Sequence, residues 1–120
     1  MKVTVRITQS FKAALKPLIK KYPTIETDLL NLEKELIKTP RLGTPLGKNA
    51  FKIRLKISSK GKGKSGGGRV ITLVEATLIG IEEKISEEEI TVNMVMIYDK
   101  SETSTISDKE LRRLINNIQL

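Results

Sequence analysis

Apolar and polar residues alternate in two stretches of the chain, and this period of two is typical of strands. Near the amino terminus Val3, Val5 and Ile7 are separated by polar residues. In residues 51–57 every second residue is apolar and each residue between them is a lysine or arginine. Because successive side chains of a strand point to opposite faces, both patterns predict strands with one buried face.

Between these two strands the apolar residues recur at helical spacing. Residues 11–22 and 25–36 each carry a stripe of apolar positions three or four residues apart, which predicts two consecutive helices. Ser10 is the predicted N-cap of the first helix. Pro17 should kink that helix or start a fresh turn. Thr39-Pro40 is expected to end the second helix.

The second half of the chain predicts two further strands. Residues 70–74 are almost continuously apolar, as expected for a central strand covered on both faces. Residues 92–98 form another apolar strand. The glycine-rich and lysine-rich residues 58–68 read as a mobile connection, and the glutamate-rich residues 81–90 read as an acidic hairpin turn.

A last helix is predicted after Ser107, because Ser107-Asp108-Lys109-Glu110 matches a capping box. Residues 41–49 contain two glycines and a proline and read as a loop. The predicted order is β-α-α-β-β-β-α in a single domain spanning residues 1–120. Short connections between sequential strands favour an antiparallel sheet with an N-terminal helical hairpin and a C-terminal helix, an α+β fold.

The charge balance narrows the classes of partner. The chain of 120 residues has 22 Lys and Arg against 14 Asp and Glu, a formal net charge of +8. This favours an anionic partner. Cysteine and histidine are both absent, so thiolate chemistry and the most common general base are excluded. No apolar stretch is long enough to cross a membrane and no leader is evident, so we expect a soluble cytoplasmic protein.

The basic strand is the first candidate for binding an anion. Lys52, Arg54 and Lys56 would form a row of cations on one face, which suits a phosphate backbone. An ordinary solvated sheet face is the alternative. Arg69 opens the next strand, where the chain returns along the basic one, so it could join this row or could simply end a strand at the solvent boundary.

The connection after this strand carries Lys60, Lys62 and Lys64. These lysines could contact RNA, or they could serve only solubility. Gly63-Lys64-Ser65 is not a phosphate-binding loop, because position 58 is not the glycine that this motif requires and a strand follows instead of a helix. We therefore expect no nucleotide cofactor, and with so few clustered carboxylates we expect no metal.

The end of the last strand, Tyr98-Asp99-Lys100-Ser101, is the second candidate. Functional groups are common at strand ends on a rigid scaffold, so Tyr98 and Lys100 could act in the site. Tyr98 could equally be a half-buried core ring with its hydroxyl in water. Arg112 and Arg113 are expected on the outer face of the last helix.

Three motifs, in this order along the chain, resemble the RelE/ParE superfamily of bacterial toxins. They are Asn49-Ala50-Phe51-Lys52-Ile53-Arg54, Gly63-Lys64-Ser65-Gly66-Gly67-Gly68-Arg69-Val70-Ile71 and Ile97-Tyr98-Asp99-Lys100-Ser101. The resemblance implies a RelE-like fold and a small toxin that cleaves mRNA, often on the ribosome. It also implies a cognate antitoxin that covers the toxin. The basic positions of the family correspond to Lys52, Arg54 and Arg69.

This chain departs from the family after Lys100. Many members carry an arginine and an aromatic residue or histidine near the carboxyl terminus, whereas here residues 101–104 are Ser-Glu-Thr-Ser. Lys100 is then the available cation in this region.

RNA can be cleaved without a metal when its ribose 2′-hydroxyl attacks the adjacent phosphorus. Arginine stays protonated and cannot accept the proton of that hydroxyl, whereas a lysine can if neighbouring cations lower its pKa. Our hypothesis assigns the base to Lys52, the phosphate clamp to Arg54 and Arg69, and assistance to the leaving group to Tyr98 or Lys100. The alternatives are a ParE-like gyrase inhibitor, a non-catalytic basic nucleic-acid-binding protein and a protein that retains only antitoxin binding.

Overall fold

A computed structural model of the protein describes residues 2–60, 67–78, 88–101 and 107–117. Five strands, three α-helices and one 3₁₀ turn lie within these residues, which confirms the α+β class. In chain order the elements are β1 (Lys2–Ile7), α1 (Gln9–Lys21), α2 (Ile25–Lys38), β2 (Thr44–Gly47), β3 (Ala50–Leu55), the 3₁₀ turn (Ser58–Lys60), β4 (Gly68–Leu78), β5 (Glu88–Asp99) and α3 (Asp108–Asn116).

The five strands form one mixed sheet in the order β1-β5-β4-β3-β2. Neighbours are antiparallel except β1 and β5, which run parallel. The prediction of a wholly antiparallel sheet is therefore wrong. It rested on short connections between sequential strands, but the helical hairpin is a long connection that carries the chain to the far edge of the sheet, and β1 pairs with the last strand instead.

The strand β2 is the second difference from the predicted order. It lies within residues 41–49, which were predicted to be a loop because of their glycines and proline. Pro45 and Gly47 are tolerated because β2 is an edge strand of only four residues. Its pairing with β3 closes through a turn at Lys48 and Asn49, both of which have positive φ angles of 52° and 61°.

The helices cover both faces of the sheet. Helices α1 and α2 pack on one face against a large core that includes Phe51, Ile53 and Leu55 of β3. Helix α3 packs on the opposite face through Leu111 and Ile115. The alternation in β3 thus directs its apolar side chains to the helical hairpin, as predicted.

Strand β4 lies in the middle of the sheet and is covered on both sides. Val70 belongs to the core beneath α1 and α2, whereas its neighbour Ile71 belongs to the core beneath α3. Both side chains are almost fully buried. This confirms the prediction that the continuous apolar run is a central strand.

The helix ends agree only partly with the predictions. Thr8, not Ser10, caps α1, because its hydroxyl accepts a hydrogen bond from the Phe11 amide at 3.3 Å. Ser10 lies inside the helix and donates to the Val95 carbonyl oxygen at 2.8 Å. Pro17 does not start a new helix, since α1 continues through it to Lys21. Ser107 does cap α3, accepting from the Glu110 amide at 3.1 Å.

Two predicted connections lie largely outside the described residues: positions 61–66 of the glycine-rich connection 58–68 and positions 81–87 of the acidic turn predicted for 81–90. Within the described residues no helix is long and apolar enough to cross a membrane.

Gly67 provides a test of how tightly β3 and β4 approach. A Cβ atom at this position would lie 2.1 Å from the Leu55 carbonyl oxygen, so Gly67→Ala should force the backbones apart and lower the free energy of unfolding by about 3 kcal/mol. Gly47→Ala is the matched control: there is open space around Gly47 and only its φ of 91° opposes a side chain, a cost of about 1 kcal/mol. Urea unfolding of both variants would contradict the close approach if their losses were equal.

Candidate functional site

A row of three polar side chains crosses the sheet from β3 to β5. The strand register pairs Arg54 with Arg69 and Arg69 with Tyr98. Adjacent strands are about 4.8 Å apart and directly paired residues point to the same face. The three residues are therefore neighbours on one face, the face on which α3 also packs. This is the proximity that counting along the sequence could not establish.

Lys52 lies on the same face, one row further along β3. The register pairs it with Ile71 and Ile71 with Met96, so Lys52 lies at the border of the apolar core beneath α3, to which Ile71 belongs. We refer to Lys52, Arg54, Arg69 and Tyr98 as the Arg69 site. The site brings together four of the five residues assigned catalytic roles from the sequence.

Arg69 is the buried member of this group. Only 6% of its surface is exposed, whereas Arg54 is exposed and Lys52 and Tyr98 are half-buried. Its Nη1 donates to the Gly68 carbonyl oxygen at 3.0 Å. Burial lowers the pKa of the Arg69 guanidinium and repulsion by Arg54 lowers it further, with Tyr98 partly offsetting both. Two neighbouring guanidinium groups, one of them buried, form a place where an anion is strongly favoured.

A bulge in β5 determines which side chains reach this face. The register between β4 and β5 shifts after Ile71, which pairs with Met96, because Thr72 pairs with Met94 and Val95 is the extra residue. A bulge of this kind reverses the alternation beyond it. Tyr98 consequently points to the Arg69 site and Asp99 to the helical hairpin.

Lys100 and Lys56 lie at the ends of the strands that carry the site. The main-chain amide of Lys100 donates to the Gly67 carbonyl oxygen at 3.1 Å, which extends the pairing of β4 and β5 by one residue pair beyond Gly68 and Asp99. Lys56 is exposed immediately after β3. Lys62 and Lys64, predicted to contact RNA, lie outside the described residues.

Lys60 has a different environment from the one predicted. Its ammonium group donates to Asp99 Oδ1 at 2.8 Å and to Ser101 Oγ at 3.0 Å, and only 7% of its side chain is exposed. It also lies 5.5 Å from the centre of the Tyr22 ring. Its charge is thus balanced within the protein, which does not favour the predicted contact with RNA, and that contact stays a prediction.

Asp99 is the centre of a buried polar cluster on the helical face. It accepts hydrogen bonds from Lys60, from the hydroxyl of Tyr22 at the end of α1, and from the amide and hydroxyl of Ser101 at 3.0 and 2.8 Å. Lys21 lies 3.7 Å from its Oδ2. Burial alone would raise the pKa of Asp99, but the hydrogen bonds from Lys60, Tyr22 and Ser101 outweigh burial and hold that pKa well below its ordinary value.

A second buried carboxylate, Asp28, attaches the 3₁₀ turn to helix α2. It accepts from the amide and hydroxyl of Ser58 at 2.9 and 2.7 Å and from the Thr24 hydroxyl at 3.0 Å. Thr24 Oγ1 in turn accepts from the Ser59 amide at 2.8 Å. Asp28 and Asp99 therefore hold the start of the β3–β4 connection at both ends of the turn.

Sequence reasoning missed this polar cluster, although one signal for it was present. Asp99 follows Tyr98 directly, so the two side chains must point to opposite faces of a strand. If Tyr98 faces the cations, Asp99 faces the helices, and a buried aspartate in a cationic protein requires a charged or hydrogen-bonding partner.

The site supplies what binding of a phosphodiester requires: guanidinium donors, an ammonium group and a phenolic hydroxyl on one rigid surface. Within the described residues no group of three or more carboxylates gathers in a way that could hold a metal ion.

Comparisons of the chain with protein-family models, with curated proteins and with solved structures found no match. The resemblance to the RelE/ParE superfamily therefore rests on the sequence motifs and stays a prediction.

The Asp99 cluster should make a large contribution to stability. Asp99→Asn leaves the buried Lys60 ammonium without its ion-pair partner, and Lys60→Met removes the nearest cation from the buried Asp99 carboxylate, so each should lower the free energy of unfolding by about 3–5 kcal/mol. Glu88→Gln is the control, because the Arg41–Glu88 pair is separated by 3.9 Å and its side chains are 49% and 42% exposed, which limits the loss to about 0–1 kcal/mol. Equal losses in all three variants would contradict the role given to Asp99.

The stability of the wild-type protein and that of Asp99→Asn should depend differently on pH. Since folding lowers the pKa of Asp99, the stabilisation is complete above its unfolded pKa of about 3.9 and is lost as the pH falls below that value. Denaturant unfolding between about pH 3 and pH 7 should show this loss in the wild-type protein and a smaller one in Asp99→Asn.

Proposed function

We propose that this protein is a metal-independent endoribonuclease and the toxin of a type II toxin–antitoxin system, as its resemblance to the RelE/ParE superfamily implies. The observation that carries the proposal is the row Arg54–Arg69–Tyr98 beside Lys52 on one face of the sheet. Its substrate would be mRNA in the cytoplasm, either free or on the ribosome.

The proposed reaction uses the ribose 2′-hydroxyl of the substrate as the nucleophile. Lys52 accepts the proton of this hydroxyl while the oxygen attacks the neighbouring phosphorus. Arg54 and Arg69 bind the non-bridging oxygens and stabilise the negative charge that develops on the phosphorane. Tyr98 or Lys100 donates a proton to the departing 5′-oxygen. The P–O5′ bond breaks, leaving a 2′,3′-cyclic phosphate and a free 5′-hydroxyl.

Tyr98 can take the place of the aromatic residue that many family members carry near the carboxyl terminus. This chain has no aromatic residue after Lys100. Tyr98 is cross-strand paired with Arg69 and half-buried, which supports its use as the aromatic group of the site. Its hydroxyl can serve as the acid, and its ring can support a base of the substrate.

Removing one charge from the Arg69 site should reduce the rate of RNA cleavage strongly and the stability of the fold much less. Lys52→Met, Arg54→Met and Arg69→Met should each reduce the cleavage rate by about 10²–10³-fold, the effect of losing one donor to a developing oxyanion. Lys38→Met and Arg41→Met remove exposed cations from the helical hairpin and its end and are the controls. The measurements are growth arrest on induction, cleavage of an RNA oligomer and thermal unfolding. Full growth arrest by folded Lys52→Met or Arg69→Met would refute the assignment.

The alternative functions predict different results with the same variants. A ParE-like gyrase inhibitor would keep its toxicity without Lys52 and Arg54. A non-catalytic nucleic-acid-binding protein would show steep salt dependence and no new RNA ends. Mapping 5′ ends of cellular mRNA after brief induction distinguishes cleavage from both.

The edge of β3 supports the second part of the proposal, a cognate antitoxin. Strand β2 pairs with β3 only as far as Lys52, so within the described residues no strand lies beside Arg54 and Leu55 on that edge. The Lys52 carbonyl oxygen lies close to Gly43, at 2.5 Å from the position of a Cβ, and therefore faces the β2 side. The main-chain groups of Arg54, two residues further, face the same edge beyond the end of β2.

This edge is bordered by two cavities of about 270 and 300 Å³, which share Glu35 and Arg54 and so follow one another along β3. An extended acidic segment of an antitoxin could add a strand here, with main-chain bonds to Arg54 and ion pairs to its guanidinium and to Lys56.

Amide hydrogen exchange tests this mode of partner binding. The product of an adjacent gene should co-purify with the toxin, and in the complex the Arg54 amide should exchange at least about tenfold more slowly, because it becomes hydrogen-bonded in a sheet. The Ile53 amide, which faces β4, is the internal control and should be protected in both states. A complex that leaves Arg54 exchange unchanged would contradict strand addition at this edge.

A further inference from the structure

A cavity of about 420 Å³ lies between the β2–β3 turn and helix α3. Its lining includes Pro45 and Leu46 of β2, Lys48 of the turn, and Arg112, Ile115 and Asn116 of α3. Leu46 and Ile115 belong to the core beneath α3. The cavity therefore opens on the same face of the sheet as the Arg69 site, and the proposed function does not use it.

Two hydrogen bonds join the walls of this cavity and hold its cations in place. Arg112 Nε donates to the Leu46 carbonyl oxygen at 2.6 Å, and Lys48 Nζ donates to Asn116 Oδ1 at 3.3 Å. The Lys48 backbone has a φ of 52°, a left-handed conformation that a lysine rarely adopts. Lys48 thus keeps an unfavourable backbone conformation at a position from which its ammonium group reaches the edge of the cavity.

The cavity combines an apolar lining with positive charge. Pro45 is exposed and lines the cavity together with Ile115, while Lys48 and Arg112 supply positive charge. A nucleobase offers a flat face for the former, and its flanking phosphates offer negative charge to the latter. A volume of about 420 Å³ is also within the range of small-molecule sites, about 300–1,000 Å³.

The position of the cavity links it to the Arg69 site. Ala50 pairs with Gly47 beside the cavity, and Arg54 lies four residues further along β3, a distance of about 13 Å at about 3.3 Å per residue. Lys52 lies between them on the same face. The cations therefore continue from Arg69 through Arg54 and Lys52 towards Lys48 and Arg112, over a length that a few nucleotides of a single strand can span.

We propose that this cavity receives one base of the same single-stranded RNA whose scissile phosphate lies between Arg54 and Arg69. The proposal rests on the proposed function and adds a second contact point for the substrate. It makes binding depend on the length of the RNA and gives the protein a preference for the base that occupies the cavity.

The test uses single-stranded 2′-O-methyl RNA, which cannot be cleaved because the nucleophilic hydroxyl is blocked. A trimer can occupy the Arg69 site alone, whereas a 12-mer can reach both sites. The wild-type protein should bind the 12-mer at least about tenfold more tightly than the trimer. Lys48→Glu should remove most of this difference and leave trimer affinity equal to that of Arg113→Glu. Arg113 is an exposed residue of α3, so this control makes the same change in net charge.

A crosslinking experiment supplies a readout that does not depend on a variant. A 12-mer carrying 4-thiouridine at each position in turn should crosslink to residues 44–48 or 111–116 from one position only. Equal effects of Lys48→Glu and Arg113→Glu on the 12-mer would overturn the proposal, as would crosslinks that avoid both segments. Binding of a mononucleotide in the cavity without any advantage of the 12-mer would also overturn it. Failure of the wild-type trimer to bind, or its indifference to Arg54→Met, would instead refute the proposed function.

Discussion

The buried carboxylate of Asp99 connects parts of the chain that are far apart in sequence. Tyr22 ends helix α1, Lys60 ends the 3₁₀ turn, and both bind the same side chain at the end of β5. Asp28 reinforces this arrangement from α2 through Ser58. Asp99 pairs with Gly68 at the start of β4, and the next residue, Arg69, pairs with Arg54 on one side and Tyr98 on the other, so the cluster lies beside the Arg69 site on the opposite face of the sheet.

Charged side chains are grouped on both faces of the sheet. On the helical face, Lys60 and Lys21 lie beside Asp99, so burial of a carboxylate is balanced by cations within the chain. On the face beneath α3, Arg69 is buried next to Arg54, and this repulsion contributes to the lowered pKa of Arg69. Two adjacent guanidinium groups favour the binding of an anion, and for this reason the proposed function assigns the substrate phosphate to the pair Arg54 and Arg69.

The sequence predicted the elements better than it predicted their neighbours. Alternation in β3, the apolar run of β4 and the cap of α3 each depend on local periodicity or on a few adjacent residues, and all three were confirmed. The parallel pairing of β1 with β5 depends on a long connection that periodicity does not describe. Strand β2 was missed because its proline and glycine are also typical of loops.

In the candidate site, too, local patterns predicted the orientation of single strands but not which residues are neighbours. The cations Lys52 and Arg54 could be assigned to one face from alternation alone, but the pairing of Arg54 with Arg69 required the register. The orientation of Tyr98 required the bulge at Val95 as well, and an almost continuous apolar sequence from Met94 to Ile97 gives no sign of one. The ion pair of Lys60 joins residues 39 positions apart, and no local pattern distinguishes it from the lysines that follow.

Arg54 connects the two halves of the proposed function. Its side chain lies in the cation row with Arg69, while its main-chain groups lie on the edge of β3 beyond the end of β2. A strand added to that edge would bring its own side chains within about 5 Å of Arg54, and an acidic residue there would compete with the RNA phosphate for the guanidinium. Inhibition by an antitoxin would then need neither a conformational change nor contact with Lys52, since partner and substrate would compete for the same residue.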